Sequence, residues 1–253
     1  MPDTALGCRR RPADVQPWIE VGSGICVTGS GAAWLPAHGT VVVADVHVGY
    51  ELAAQRRGGW LPPLASGAEL GARLVALAAA LGATRLVIAG DLRHSTRDVD
   101  AFERAELAAL VTAVQAHVRL ELVLGNHDRG GALVDVTAAT LVQVGDVSIV
   151  HHPPIVTPAS WTIAGHLHPR ITLRDETGAA SRFPCALVGE RTVVIPAFSE
   201  WAGGTEARRL LPALAPGRWR ALPLTGGEIA DLGLVIGAEP GRAGTEPEPP
   251  LRP

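Results

Sequence analysis

The chain has no lysine: all 22 of its basic residues are arginine. The arginines are spread along the whole chain beside a heavy load of Ala, Gly and Pro. That pattern reads as codon bias of a GC-rich genome more than as Arg selected for phosphate recognition. Cysteine is equally scarce. Cys8, Cys26 and Cys185 are odd in number, far apart and form no CxxC pair, which excludes a disulfide framework and a Cys-based zinc site. A reducing cytoplasm fits. No long basic run exists and the net charge is −3, so tight nonspecific binding to a nucleic-acid backbone is not implied. The N-terminal MPDTALGCRRRPADVQP lacks the apolar core of a signal peptide. The most apolar long stretch, 69–90, is interrupted by Glu69, Arg73 and Arg85, and reads as a helix followed by a strand instead of a membrane span. No repeat of solenoid period is visible.

What is present is a globular composition, 47 % hydrophobic and 19 % charged over 253 residues, enough for one good core. From Ala238 the chain turns into Pro, Gly and Glu without an apolar face. The expected organisation is therefore one domain over 1–237 and a disordered tail over 238–253. Residues 17–45 predict two or three strands around the turn at 29–32. A helix is expected over 64–81, a strand over 85–89, and a helix over 99–116 for which Ser95, Thr96 and Asp98 can supply caps. A strand at 119–124 and a short helix near 130–139 follow, then strands near 141–144, 147–151, 161–165, 170–175, 183–188 and 191–196. Strand–helix alternation in the first half and strands in the second predict two packed sheets with helices outside.

Five short motifs follow apolar runs: VVVADVH (41–47), LVIAGD (86–91), LVLGNHD (122–128), VSIVHH (147–152) and WTIAGHLH (161–168). They place Asp45, His47, Asp91, Asn126, His127, His151, His166 and His168 at the carboxyl ends of several strands, where ligands sit in α/β sheets. Asp45 and His47, like His166 and His168, are two apart, a spacing that aims both side chains to one side of an extended strand. Imidazole, carboxylate and amide together suit Mn²⁺, Fe or Zn²⁺ better than Ca²⁺ or Mg²⁺. Seven donors exceed the needs of one ion, so two ions are expected. Two ions about 3.5–4 Å apart can activate water and clamp a phosphoryl group for in-line attack. His38 and His117 lie outside the motifs and read as surface or helix residues.

The series DxH, GD, GNHD, H and GHxH resembles the calcineurin-like metallophosphoesterases, and as a set it is specific. ADVHVGYE (44–51), GDLRHS (90–95), GHLHPR (165–170) and IPAFSEWAGG (195–204) are similar to segments of the ligase-associated DNA-processing phosphoesterase family, the PdeM type. The resemblance covers roughly residues 22–205 in order. It implies a four-layer α/β/β/α sandwich of two mixed sheets. It also implies a phosphodiesterase or endonuclease, usually Mn²⁺-dependent, acting on nucleic acid beside DNA repair partners such as ligase, helicase or exonuclease. Carried over, Asp45, His47 and His168 hold the first metal, Asp91 bridges, Asn126, His151 and His166 hold the second, and His127 serves as proton donor or charge stabiliser. Two departures stand out. The fourth motif is HHPP, so His151 and His152 compete for the ligand role, with His151 favoured because it directly ends the strand. The second motif continues as LRHS without the acidic residue that orients the catalytic histidine in protein phosphatases; Asp128 is a candidate substitute. Arg93 and His94 divide between a phosphate contact and a loop hydrogen bond, Tyr50 between base stacking and packing, with packing favoured. Trp201 is equally open. Hydrolysis of small nucleotides and a metal-bound scaffold for repair proteins are the rival functions.

Overall fold

The computed structural model describes residues 15–56, 58–59, 61, 65–96, 99–128 and 134–237. The Pro/Gly/Glu-rich stretch expected from 238 onward and Cys8 lie outside them. The first half contains strands β1 (Val15–Gln16), β2 (Trp18–Gly22), β3 (Ile25–Thr28), β4 (Ala33–Leu35), β5 (Thr40–Val43), β6 (Arg85–Ala89), β7 (Arg119–Val123) and β8 (Thr137–Ala139). Its helices are α1 (Tyr50–Arg56), α2 (Gly67–Ala80) and α3 (Ala101–Gln115). The second half contains β9 (Val142–Val144), β10 (Val147–Val150), β11 (Thr162–Ala164), β12 (Pro169–Arg174), β13 (Ala180–Val188), β14 (Thr192–Val194), β15 (Thr205–Glu206), β16 (Trp219–Thr225), β17 (Glu228–Ala230) and β18 (Val235–Ile236).

One sheet runs β2 to β8 in chain order, antiparallel up to β5 and parallel from β5 to β8. The other is also mixed. Its centre, β10–β11–β14, is parallel, and antiparallel strands extend it on both sides. The apolar runs of β5 and β6, and that of β7 apart from Glu121, which pairs with Arg85 and Arg119, are explained by having a core on each face. Val41, Val43, Leu86, Ile88 and Leu122 pack with Leu74 of α2 and Leu107 and Leu110 of α3. The alternate residues Val42, Val87 and Val123 meet Ile149, Ile163 and Val193 of the second sheet. Outside that sheet, Cys185, Leu187, Val194 and Trp219 are covered by Ala207 and Leu210 of a 3-10 helix, Ala207–Ala213. The expected mixed-sheet sandwich is present, with its last layer built from 3-10 turns. No helix among the described residues is long and apolar enough to cross a membrane.

The anticipated strands are found within a residue or three. Residues 17–45 hold four strands, because a further hairpin, β4 to β5, follows the turn at 29–32. The short helix expected near 130–139 is corrected: residues 137–139 form β8, which pairs in parallel with β7 and sets Ala138 against Leu122. Pairing to an open sheet edge outweighs the weak helical preference of so short a segment. Residues 130–133 lie outside the described residues. α2 starts at a capping box, Ser66 and Glu69 bonding each other's backbone N–H. α3 is capped by Asp100, which accepts from Glu103 N at 2.8 Å, and not by Ser95 or Thr96; Asp98, the third cap candidate, lies outside the described residues. Ser95 is otherwise engaged, donating to the fully buried Glu103 carboxylate at 3.0 Å. Cys26 and Cys185 are free, buried thiols.

Candidate metal centre

β5, β6 and β7 of one sheet and β10 and β11 of the other end at the same edge of the sandwich, and every motif donor lies just past one of these ends. Extended-strand alternation is not what aligns Asp45 with His47, or His166 with His168. Asp45, His47, Asp91, His166 and His168 all have left-handed backbone, with φ of 56°, 53°, 50°, 70° and 44°. Among the described residues only one other non-glycine, Ser23, has positive φ. Each αL residue costs of order 1–3 kcal/mol, less for Asp and His than for branched residues. Five together rival the net stability of an ordinary domain, about 5–15 kcal/mol. Strain so confined belongs to a site and not to chain reversal in general.

The donors converge in two linked groups. His47 Nε2 stands 3.4 Å from His168 Nε2, which is 3.5 Å from Asp45 Oδ2. His151 Nε2 stands 2.9 Å from Asn126 Oδ1, 3.2 Å from His166 Nδ1 and 3.5 Å from Asp91 Oδ2. Asp45, Asp91 and His151 connect the groups, with ligand atoms within 4.8 Å of one another. His152 is exposed. Its ring packs on His166, centroids 4.0 Å apart, and its ligand nitrogen lies within 4.8 Å of those of His151 and His166.

Backbone carbonyls fix which nitrogen of each ring is open. The nitrogen facing a carbonyl must carry the proton. His151 Nδ1 donates to Ala89 O at 3.0 Å and His168 Nδ1 to Gly203 O at 3.1 Å, leaving both Nε2 lone pairs for the centre. His127 Nδ1 donates to His94 O, and its own N–H donates to Asp91 Oδ1 at 2.8 Å. That carbonyl occupies the orienting place for which Asp128 was a candidate. Asp128 instead staples two loops together, accepting from Gly125 N at 3.0 Å, Leu92 N at 3.3 Å and Arg93 N at 3.4 Å. Arg93 is 4 % exposed and donates from Nε to His127 O at 2.8 Å, which makes it a positioning residue with little surface for a phosphate. The His94 ring lies 5.1 Å from His47, 5.3 Å from His127 and 4.6 Å from the half-buried Tyr50, which opens α1. His38 and His117 are exposed and remote from the cluster, as their sequence context indicates.

The metal-binding capacity follows from burial, charge and spacing. Burial pushes the His47 imidazole down to about 3 against the pull of Asp45, with His168, His94 and His127 adding to the fall. Burial and the neighbouring His152 and His151 push His166 down to about 4. Both rings are therefore neutral near pH 7, with lone pairs available. Burial would raise the Asp45 carboxyl, but the hydrogen bond and charge of His168, with His151 and His47, hold it below its ordinary value. Burial raises Asp91. Asp45 Oδ1 and His47 Nδ1 are buried without a hydrogen-bond partner, a cost a cation can offset at the carboxylate. Donors about 2.1 Å from one ion stand about 3.0–3.4 Å apart in octahedral or tetrahedral coordination, and the contacts here, from 2.9 to 3.5 Å, bracket that range. Buried nitrogen and oxygen donors so spaced fit divalent metal ions.

No family model and no curated protein sequence matches the chain. Among solved structures, the fold is similar to that of the Pseudomonas putida nuclease MPE. The TM-score is 0.63 over 87 % of this chain and 100 % of that one, at 24 % identity. At that identity the likeness concerns the fold.

The glycines of three motifs leave room for the donors. A Cβ at Gly90 would stand 2.0 Å from His151 Nδ1, one at Gly125 2.1 Å from Asp91 Oδ1, and one at Gly165 2.8 Å from Asp45 Oδ2. Gly90→Ala should therefore break the His151–Ala89 bond, displace the ring and lower metal affinity by about 10–100-fold, as loss of an orienting partner does. Gly24 also has positive φ but nothing within 4 Å, so Gly24→Ala carries the backbone strain alone. Metal titration by calorimetry should separate the two. Equal affinities in both variants would contradict the steric account.

Proposed function

We propose that the protein is a metal-dependent phosphodiesterase acting on nucleic acid. The observation that carries this reading is the convergence of seven buried or half-buried nitrogen and oxygen donors, five of them on strained backbone, at one edge of two sheets. The nuclease with the similar fold supports it. In this reading Asp45, His47 and His168 hold one ion, Asn126, His151 and His166 the other, and Asp91 stands between them. Two divalent transition-metal ions, best supplied as Mn²⁺ with Fe or Zn²⁺ as substitutes, would provide Lewis acidity toward the phosphoryl group and the attacking water. The similarity of the four sequence segments to DNA-processing phosphoesterases favours DNA as the substrate.

The chain's own residues supply orientation and the proton. Carbonyls of Ala89 and Gly203 hold the His151 and His168 rings, so the donor set is built before an ion arrives. His127, with Nδ1 committed to His94 O, presents Nε2 beside Asp91 at 3.9 Å and remains partly accessible at 23 %. In its imidazolium form, with Nδ1–H kept on His94 O, the ring can hand the Nε2 proton to a departing alkoxide oxygen and return to the neutral Nδ1–H tautomer. Turnover of bis-aryl and mono-aryl phosphates with added Mn²⁺ tests the assignment. A diester preference is expected from the similarity of the four sequence segments to DNA-processing phosphoesterases. Faster monoester turnover would reject the diesterase reading, and no turnover of either would reject an enzyme of this class.

A further inference from the structure

We propose that a groove beginning at His168 seats the unpaired nucleotide next to the scissile phosphate, with its base on an apolar wall and its outer phosphate on Arg170. The proposal rests on the phosphodiesterase reading above and adds where the substrate's flanking nucleotide lies.

The groove has a volume of about 610 Å³ and opens at His168 and Gly203, the pair joined by the Nδ1–carbonyl bond. Sites for nucleotide-sized ligands run from about 300 to 1,000 Å³, so one nucleotide fits and a duplex does not. Its lining includes the apolar side chains of Phe183, Phe198 and Leu224. The rim is formed by two glycine-bearing turns, 29–31 and 226–227, which bring backbone close without side chains in the way.

Charge identifies the occupant. Arg170 lines the groove two residues beyond His168 on β12. It is half-buried, and among the described residues its guanidinium has no carboxylate or carbonyl partner. Arg73, which also lines the groove, is neutralised by Glu200 at 2.6 Å and lies 5.1 Å over the Phe198 ring. Gly204 makes room for the Arg170 stem: a Cβ there would come within 2.8 Å of Arg170 Cγ. An unpaired guanidinium next to a metal-site histidine, at the end of an apolar trough, matches a chain of alternating anions and flat bases. Neither a peptide nor a lipid has that alternation. Stacking of a base on an aromatic side chain tolerates any sequence, because every base has a π-face. The guanidinium can grip the outer phosphate through paired N–H donors.

The test compares two diesters on the Mn²⁺-loaded enzyme: a short oligothymidylate, which reaches the groove, and bis-p-nitrophenyl phosphate, which does not. Arg170→Glu should lower the ratio of their kcat/KM values about tenfold or more, through the KM for the oligonucleotide, and Arg170→Lys, which keeps the charge without the paired donors, should fall between Arg170→Glu and wild type. Ala76→Trp blocks the same groove from an exposed position on α2, where the fold tolerates the change, and should lower the ratio similarly. Ratios within about twofold of wild type in both Arg170→Glu and Ala76→Trp would overturn the proposal. A second measurement does not depend on turnover. Thymidine 5′-monophosphate added to protein loaded with diamagnetic Zn²⁺ should shift the NMR signals of Leu224 and Gly227, and Arg170→Glu should abolish the shift. No shift in wild type would overturn the groove assignment. If wild type cleaves neither diester, the phosphodiesterase reading fails, and this titration still decides the groove.

Discussion

Asp91→Asn is expected to strip metal from both halves of the centre and to lower diester turnover by at least about 10²-fold, the scale on which loss of one charged donor acts. The substitution isolates charge from shape. Asparagine is nearly isosteric and accepts the left-handed backbone that Asp91 adopts at φ 50°. Its amide oxygen can still accept the His127 N–H that now reaches Asp91 Oδ1 at 2.8 Å. Only the negative charge and the second acceptor oxygen disappear, and a neutral amide is a poor bridge between cations. Because burial already raises the Asp91 carboxyl, the metal-free variant loses an unfavourable buried charge and should melt no lower than metal-free wild type. Elemental analysis and thermal melting with and without Mn²⁺ measure both effects. Wild-type content of two ions with unchanged turnover would remove Asp91 from the centre. A lower metal-free melting temperature would make the loss a folding defect.

How much of this centre is legible in the sequence depends on the range of the forces involved. The strand ends are legible because burial on both faces leaves continuous Val, Leu and Ile runs, and the polar donors follow immediately. The expected donors, from Asp45 to His168, all lie at one edge of the sandwich. The partners that orient them are backbone groups remote in the chain. Gly203 O serves His168 over 35 residues, Ala89 O serves His151 over 62, and His94 O serves His127 over 33. A carbonyl carries no residue identity, so no pattern announces it. The LRHS continuation lacks an acidic residue because a main-chain oxygen of His94 fills that place. Arg93 stays divided in the sequence between a phosphate contact and a loop hydrogen bond for a related reason: the acceptor that Nε reaches, His127 O, is again a backbone carbonyl remote in the chain. The left-handed residues were equally hidden, since a two-residue spacing looks like strand alternation and only the folded chain shows the αL geometry. The helix α1 went unforeseen because its seven residues are too few to display a helical period.

His127→Ala should keep both ions yet lose about 10²–10⁴-fold in rate on substrates with poor leaving groups, the usual contribution of a general acid. The geometry separates His127 from the metal donors next to it in the chain. Asn126 Oδ1 lies 2.9 Å from His151 Nε2, whereas the His127 ring is tied through Nδ1 to His94 O and faces outward through Nε2. Alanine retains the backbone N–H that bonds Asp91, so the loop and the metal donors stay in place. The defect should depend on the leaving group. A nucleoside alkoxide needs a proton as the P–O bond breaks, while p-nitrophenolate departs without one. The ratio of oligonucleotide to bis-p-nitrophenyl phosphate turnover should therefore fall, with the change in kcat and not in KM. That distinguishes it from the groove variants, whose effect lies in KM. If the variant instead loses metal, the nitrogens of His47, His94 and His127, which lie within 4.8 Å of one another, form a ligand set and the proton must come from elsewhere. If it loses neither metal nor rate, His94, packed between His47 and Tyr50, becomes the acid to test.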